Sequence, residues 1–222
     1  MNNKKKWFHI SYILFFVALV YTILVKFVDT AAIGPGQSVV GFSTLNQAFH
    51  QLFGTNMLFY TITEYLGYVP FLICLVYAII GFMQLVRYKS LSKVDKKLIY
   101  LAIFYVCILL VYVLFEKVVI NYRPVLLEGD LEASYPSSHT MLAISICLSS
   151  LFISKYFIHP KKLRECFDAF TLLLMIALVV GRTFSGVHWI SDIFGGILIS
   201  LFFVSLYYAF ILESDDIDKS IS

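Results

Sequence analysis

His188 and Asp192 stand four residues apart in a run that begins at Gly181-Arg182, a spacing that places both on one face of a helix. A carboxylate so placed can accept a hydrogen bond from one imidazole nitrogen, fix the ring tautomer and leave the other nitrogen free as a nucleophile. His139, in Pro136-Ser137-Ser138-His139, is a candidate general acid for a leaving oxygen. Lys117, Arg123 and Arg182 supply three fixed positive charges, and the planar guanidinium fork suits phosphate oxygens. Ser137, Ser138 and the free amides where a helix begins there add donors at its positive end. Together these residue types describe a pocket that binds a phosphoryl group and attacks it with histidine. No carboxylate–histidine set at metal-ligand spacing accompanies them, so neither a metal nor another cofactor is expected.

The elements that must position these residues are hydrophobic helices. The chain has 222 residues, 60% hydrophobic and only 14% charged, against about 25% charged in a soluble domain. So much apolar surface calls for lipid as the solvent, and it excludes a nucleic-acid partner. Six stretches are long and apolar enough to span a bilayer: 7–28, 65–86, 98–119, 139–158, 167–182 and 190–212. The fifth is shortened by Gly181 and Arg182. The predicted fold is an all-α, polytopic bundle of six transmembrane helices forming a single domain over 1–222.

Lys4, Lys5 and Lys6 precede an apolar run, Trp7 to Val28, that is too long for a signal-peptide core, and it reads as a retained first span. Residues 29–64 form the longest loop, with an amphipathic piece from Ser43 to Phe53 that suits the interface. Lysine and arginine gather before span one, at 87–97 and at 155–164. Those segments are therefore expected in the cytoplasm with both termini, and the candidate site on the outer side. His9, His50 and His159 read as interfacial anchors, and Gly195-Gly196 as helix packing. Cys74, Cys107, Cys147 and Cys166 read as apolar filler without a disulfide.

The residues resemble the type-2 phosphatidic acid phosphatases, which share a core with vanadium haloperoxidases. Three motifs carry the resemblance: Lys117…Arg123-Pro124, Pro136-Ser137-Ser138-His139, and Gly181-Arg182…His188…Asp192. It covers most of the chain from about residue 60. It implies a metal-independent phosphatase of membrane lipid phosphates that passes through a phosphohistidine on His188. Asp192 would orient the ring, His139 would be the acid, and Lys117, Arg123, Ser137 and Arg182 would hold the phosphate. Candidate substrates are undecaprenyl pyrophosphate, phosphatidylglycerol phosphate, phosphatidic acid and diacylglycerol pyrophosphate.

The sequence departs from the family at three positions. Gly181 replaces the usual serine, and Ser138 stands where glycine is common. Lys117 lies one residue closer to Arg123, so Glu116 occupies the lysine's usual place. The expected resolution is that the helix unwinds near Asn121-Tyr122, which lets Lys117 reach the phosphate while Glu116 turns outward. Two other classes use the same residue types: a haloperoxidase holding vanadate, and a lipid or proton transporter using the His/Asp/Arg cluster as a relay.

Overall fold

A computed structural model describes residues 3–221, with side chains through Asp215. Its elements are α1 (Asn3–Phe27), a two-residue hairpin of β1 (Ala31–Ala32) and β2 (Val39–Val40), α2 (Ser43–Phe53), α3 (Met57–Leu66), α4 (Tyr68–Tyr88), α5 (Lys96–Lys117), α6 (Ser138–Phe157), α7 (Lys161–Ser185) and α8 (Ile190–Ile221). Among the described residues, five helical stretches are long and apolar enough to cross a membrane: Asn3–Phe27, Met57–Tyr88, Lys96–Lys117, Ser138–Phe157 and Ile190–Asp215. The remaining long helix, α7, opens with Lys161, Lys162, Arg164, Glu165 and Asp168.

Three boundaries differ from expectation. The 29–64 loop ends early, because the Asn56 side chain accepts from Leu58 N and Phe59 N and starts α3 at Met57; two free amides of the first turn are thereby satisfied. Helix α7 is not cut at Gly181-Arg182 but runs on to Ser185. Its arginine is buried against α3, so the charge does not have to leave the helix to find a partner. Helix α5 ends at Lys117, earlier than the expected unwinding at Asn121-Tyr122.

Burial separates the middle of the bundle from its rim. In the most apolar stretch of α6, 61% of residues are buried, and in α8 50%, against 17% in α1. Helix α6 packs on α4, α5, α7 and α8, and α8 also receives α1 and α5. The side chains of Met141, Cys147, Ile153, Leu178, Tyr207 and Ile211 fill this centre. The rim helices expose residues such as Phe15, Leu72, Phe82 and Leu110, which is the pattern of a bundle facing hydrocarbon rather than water. Close approach of α8 to the start of α6 needs the predicted glycine pair. A Cβ on Gly195 would lie 2.3 Å from the Tyr135 ring, and one on Gly196 would lie 3.0 Å from the Ser137 carbonyl.

The two ends of the bundle carry different chemistry. At one end Lys4 pairs with Glu213, and Lys97 with Asp215. At the other end meet the C-termini of α1, α5 and α7 and the N-termini of α3, α6 and α8, with α2 packed against the start of α8 and the end of α7. All the candidate site residues lie at this second end.

Candidate active site

The 118–137 connection folds back on itself before entering α6. Tyr122 bridges Ala133, and Leu127 bridges Asp130. The Arg123 amide donates to the Glu132 carbonyl and the Ser134 amide to the Asn121 carbonyl. This small antiparallel ladder puts Arg123 and Ser134 side by side, facing the start of α8. The Ser137 amide then donates to the Asp192 carbonyl at 3.0 Å, which ties the N-terminus of α6 to α8.

His188 is 5% exposed and sits between α7 and α8, two residues before helical geometry begins. The expectation that His188 and Asp192 share a helix face is therefore corrected. Asp192 instead closes the first turn of α8: its Oδ2 accepts from the Trp189 amide at 3.0 Å, the return half of a capping box. Its carboxylate is otherwise filled by Ser134 Oγ at 2.5 Å and Asn121 Nδ2 at 3.1 Å.

The ring of His188 is held by other groups. Its Nδ1 lies 3.1 Å from both the carbonyl oxygen and the hydroxyl of Ser134. Its Nε2 lies 3.2 Å from Arg123 Nη1. A guanidinium only donates, so Nε2 must accept and the proton must sit on Nδ1. Burial holds the imidazole well below its ordinary value of 6.5, and the positive charges of Arg123 and Arg182 reinforce this. His188 is a neutral imidazole with its lone pair on Nε2, the form a nucleophile requires.

His139, in the first turn of α6, points Nε2 at Glu64 Oε2, 3.3 Å away. The same carboxylate oxygen takes Arg182 Nη1 at 3.2 Å, and the guanidinium lies over the Tyr60 ring at 4.9 Å. Arg182 is 1% exposed and also donates to Thr63 Oγ1 at 3.3 Å. Thr63 explains the glycine at 181, because a Cβ there would stand 2.6 Å from Thr63 Cγ2. A threonine on α3 thus fills the space a serine on α7 would need, and it hands its hydroxyl to the neighbouring arginine. Arg123 pairs with Glu132 Oε2 at 2.9 Å. That contact is off-axis, and the Nε hydrogen has no hydrogen-bond acceptor.

The structure brings Arg123, Ser137, Ser138, His139, Arg182, His188 and Asp192 to one end of the bundle and leaves Lys117 aside. Lys117 is the last residue of α5, exposed, with no hydrogen bond or ion pair among the described residues. Glu116 lines a small cavity with Arg123, Ser134, Ser138 and His188. This reverses the expected arrangement, because α5 stops before any unwinding turns the lysine inward. Sequence reasoning also missed Asn46, Glu64, Asn121, Glu132 and Ser134. Asn46 is fully buried and takes the Ser191 amide on Oδ1 at 3.1 Å. His50, expected as an interfacial anchor, packs edge-on against Trp189 at 5.5 Å.

Four polar atoms in this cluster are buried without a hydrogen-bond partner among the described residues: Ser137 Oγ, His139 Nδ1, Arg123 Nε and Arg182 Nε. Buried polar atoms are ordinarily satisfied, and the three that carry a hydrogen to donate, on Ser137, Arg123 and Arg182, form a cradle for an anion. The cavity beside His188 is small, about 10 Å³. Ser138 and Tyr112 line it and also line a groove of about 310 Å³ with His139, Phe71, Leu109 and Leu178. A polar pocket thus abuts an apolar groove.

No curated protein matches this chain. In architecture it is similar to a transmembrane PAP2-type phosphatidylglycerolphosphate phosphatase from Bacillus subtilis. The two are 16% identical, with a TM-score of 0.62 over 91% of this chain and 96% of that one. The profile of the PAP2 superfamily matches residues 9–216, and the chain belongs to that superfamily.

Proposed function

We propose that this protein is a metal-independent lipid phosphate phosphatase that works at the outer face of the membrane through a phosphohistidine on His188. One observation carries the reading: a neutral, buried imidazole and three unpartnered donors stand at the polar end of an apolar groove. That is the shape of an amphiphile with a phosphate head.

The phosphate displaces Glu132 and Glu64 from Arg123 and Arg182, and Ser137 and the first amides of α6 take its remaining oxygens. Arg123 leaves Nε2 for a phosphate oxygen, which frees the lone pair. His188 Nε2 attacks phosphorus as the bond to the lipid oxygen breaks, and His139 protonates that oxygen. Water then attacks the phosphohistidine, giving its proton to His139 and releasing phosphate and neutral His188. Charge stabilisation by fixed donors in a buried site supplies most of the rate.

The lysine and arginine bias of 87–97 and 155–164 supports six crossings, α7 included, with both termini in the cytoplasm. Lipid phosphates reached from outside the cytoplasm, such as undecaprenyl pyrophosphate, phosphatidylglycerol phosphate or phosphatidic acid, are the proposed substrates, and an outward site favours a carrier lipid among them. Phosphate release from this panel by the purified protein in detergent tests the reading. We expect turnover in excess chelator, inhibition by vanadate, and none of it after His188→Ala. Activity that vanishes in chelator and returns with magnesium would overturn the mechanism.

A further inference from the structure

The phosphohistidine reading needs something to hold the Nδ1 proton of His188 while Nε2 bonds to phosphorus. Among the described residues, no hydrogen bond joins Asp192 to the ring. Its oxygens are occupied by Ser134 Oγ, the Trp189 amide, Asn121 Nδ2 and, at 3.4 Å, Ser191 Oγ. The group that touches both partners is Ser134. Its hydroxyl donates to Asp192 Oδ2 at 2.5 Å, and the same oxygen lies 3.1 Å from His188 Nδ1. A hydroxyl has one proton and two lone pairs. With the proton committed to Asp192, a lone pair faces the Nδ1 hydrogen, and the Ser134 carbonyl faces it as well at 3.1 Å.

We infer that Ser134 is a positioning residue that passes the negative charge of Asp192 to the catalytic histidine. When Nε2 bonds to phosphorus the ring acquires positive charge, and the Nδ1 proton stays where it is. A hydroxyl polarised by a carboxylate accepts from that proton more strongly than a free one. The serine is placed for this by backbone, through its amide bond to the Asn121 carbonyl at 2.9 Å. Ser134 is 2% exposed, His188 5% and Asp192 0%, so water does not replace the relay. This inference rests on the phosphatase reading and on His188 as its nucleophile.

The test is a double-mutant cycle on the full-length protein in detergent, with Ser134→Ala, Asp192→Asn and both together. Ser134→Ala should lower kcat by about 30-fold or more while KM stays within about threefold, since the phosphate cradle is untouched. The double variant should fall no more than about threefold below the slower single variant, because one relay has been cut twice. Ser134→Thr, which keeps the hydroxyl, should recover most of the rate. Should Ser134→Ala prove too unstable to assay, Ser134→Cys keeps the size, weakens the donor, and is read in the same cycle.

Losses that multiply in the double variant, or a Ser134→Ala enzyme within about threefold of wild type, would overturn the relay while leaving the phosphatase intact. Wild-type protein that releases no phosphate from any lipid of the panel, or a His188→Ala enzyme that still turns over, would overturn the underlying reading instead.

Discussion

On the phosphohistidine reading, the protonation of His188 sets how activity responds to pH, and it bears on stability as well. Its folded-state value lies well below 6.5, through burial first and then Arg123 and Arg182. The ring therefore stays neutral in acid that would charge a free imidazole, and kcat/KM should lose its histidine-dependent acid limb only well below pH 6.5. Stability runs the other way. The unfolded chain takes up a proton that folded His188 refuses, so the contribution is intact above pH 6.5 and falls as pH drops, by about 1.4 kcal/mol per unit. Melting between pH 7 and pH 5 should show a decline that His188→Asn flattens; equal declines in both proteins would contradict this. Lys117→Ala should change kcat/KM by less than about threefold, whereas Arg123→Ala should cost at least about 100-fold. A large loss at Lys117 would mean that the side chain swings inward when substrate binds. The residues that touch phosphate in this reading were legible in three short motifs. Glu64 left a trace as the lone acid between Met57 and Tyr88, where an ionisable group needs a reason. Asn46, Asn121 and Ser134 left none, because the partners that tie them to His188, Ser191 and Asp192 lie 54 to 145 positions away.

Among the elements, the long apolar runs announced their own helices, since a backbone in hydrocarbon has to satisfy itself. Helix ends were less legible because tertiary partners set them. Arg182 stays inside α7 only because Glu64 and Thr63 on α3 are within reach. The α3–α7 contact also accounts for the glycine at 181, where a Cβ would lie 2.6 Å from Thr63 Cγ2. Gly181→Ser, which restores the family's usual residue, should press on Thr63 Cγ2 and destabilise by roughly 1–3 kcal/mol. Adding Thr63→Ala should relieve the clash and let the new hydroxyl serve Arg182. Melting temperature and activity of the single and double variants check this. If Gly181→Ser melts with wild type, the two helices have more room than the structure gives them.

For the whole molecule, the proposed orientation puts the basic loops in the cytoplasm and the candidate site outside. In a background lacking the four native cysteines, a cysteine at Ser92 should resist impermeant reagents in intact cells, and one at Leu131 should react. Strong labelling at Ser92 would place the active site inside. The segment 41–56 has a further role, because it is hydrogen-bonded to the elements on either side of His188 and to Asn121. Gly41 N donates to Asn121 Oδ1, Asn46 clasps Ser191, and Asn56 N donates to the Ser185 carbonyl. Gly54 sits so close to Gly186 that a Cβ on Gly186 would lie 2.0 Å from its carbonyl. Helix α2 is only 11 residues long, with little of its own to resist heat. Warming should therefore release this segment, and with it the loop bearing His188, while the bundle is still helical. Inactivation should precede the loss of helical circular dichroism by several degrees, recover on cooling, and come earlier still in Asn46→Ala. Coincident transitions would show instead that the 41–56 segment and the bundle melt as one.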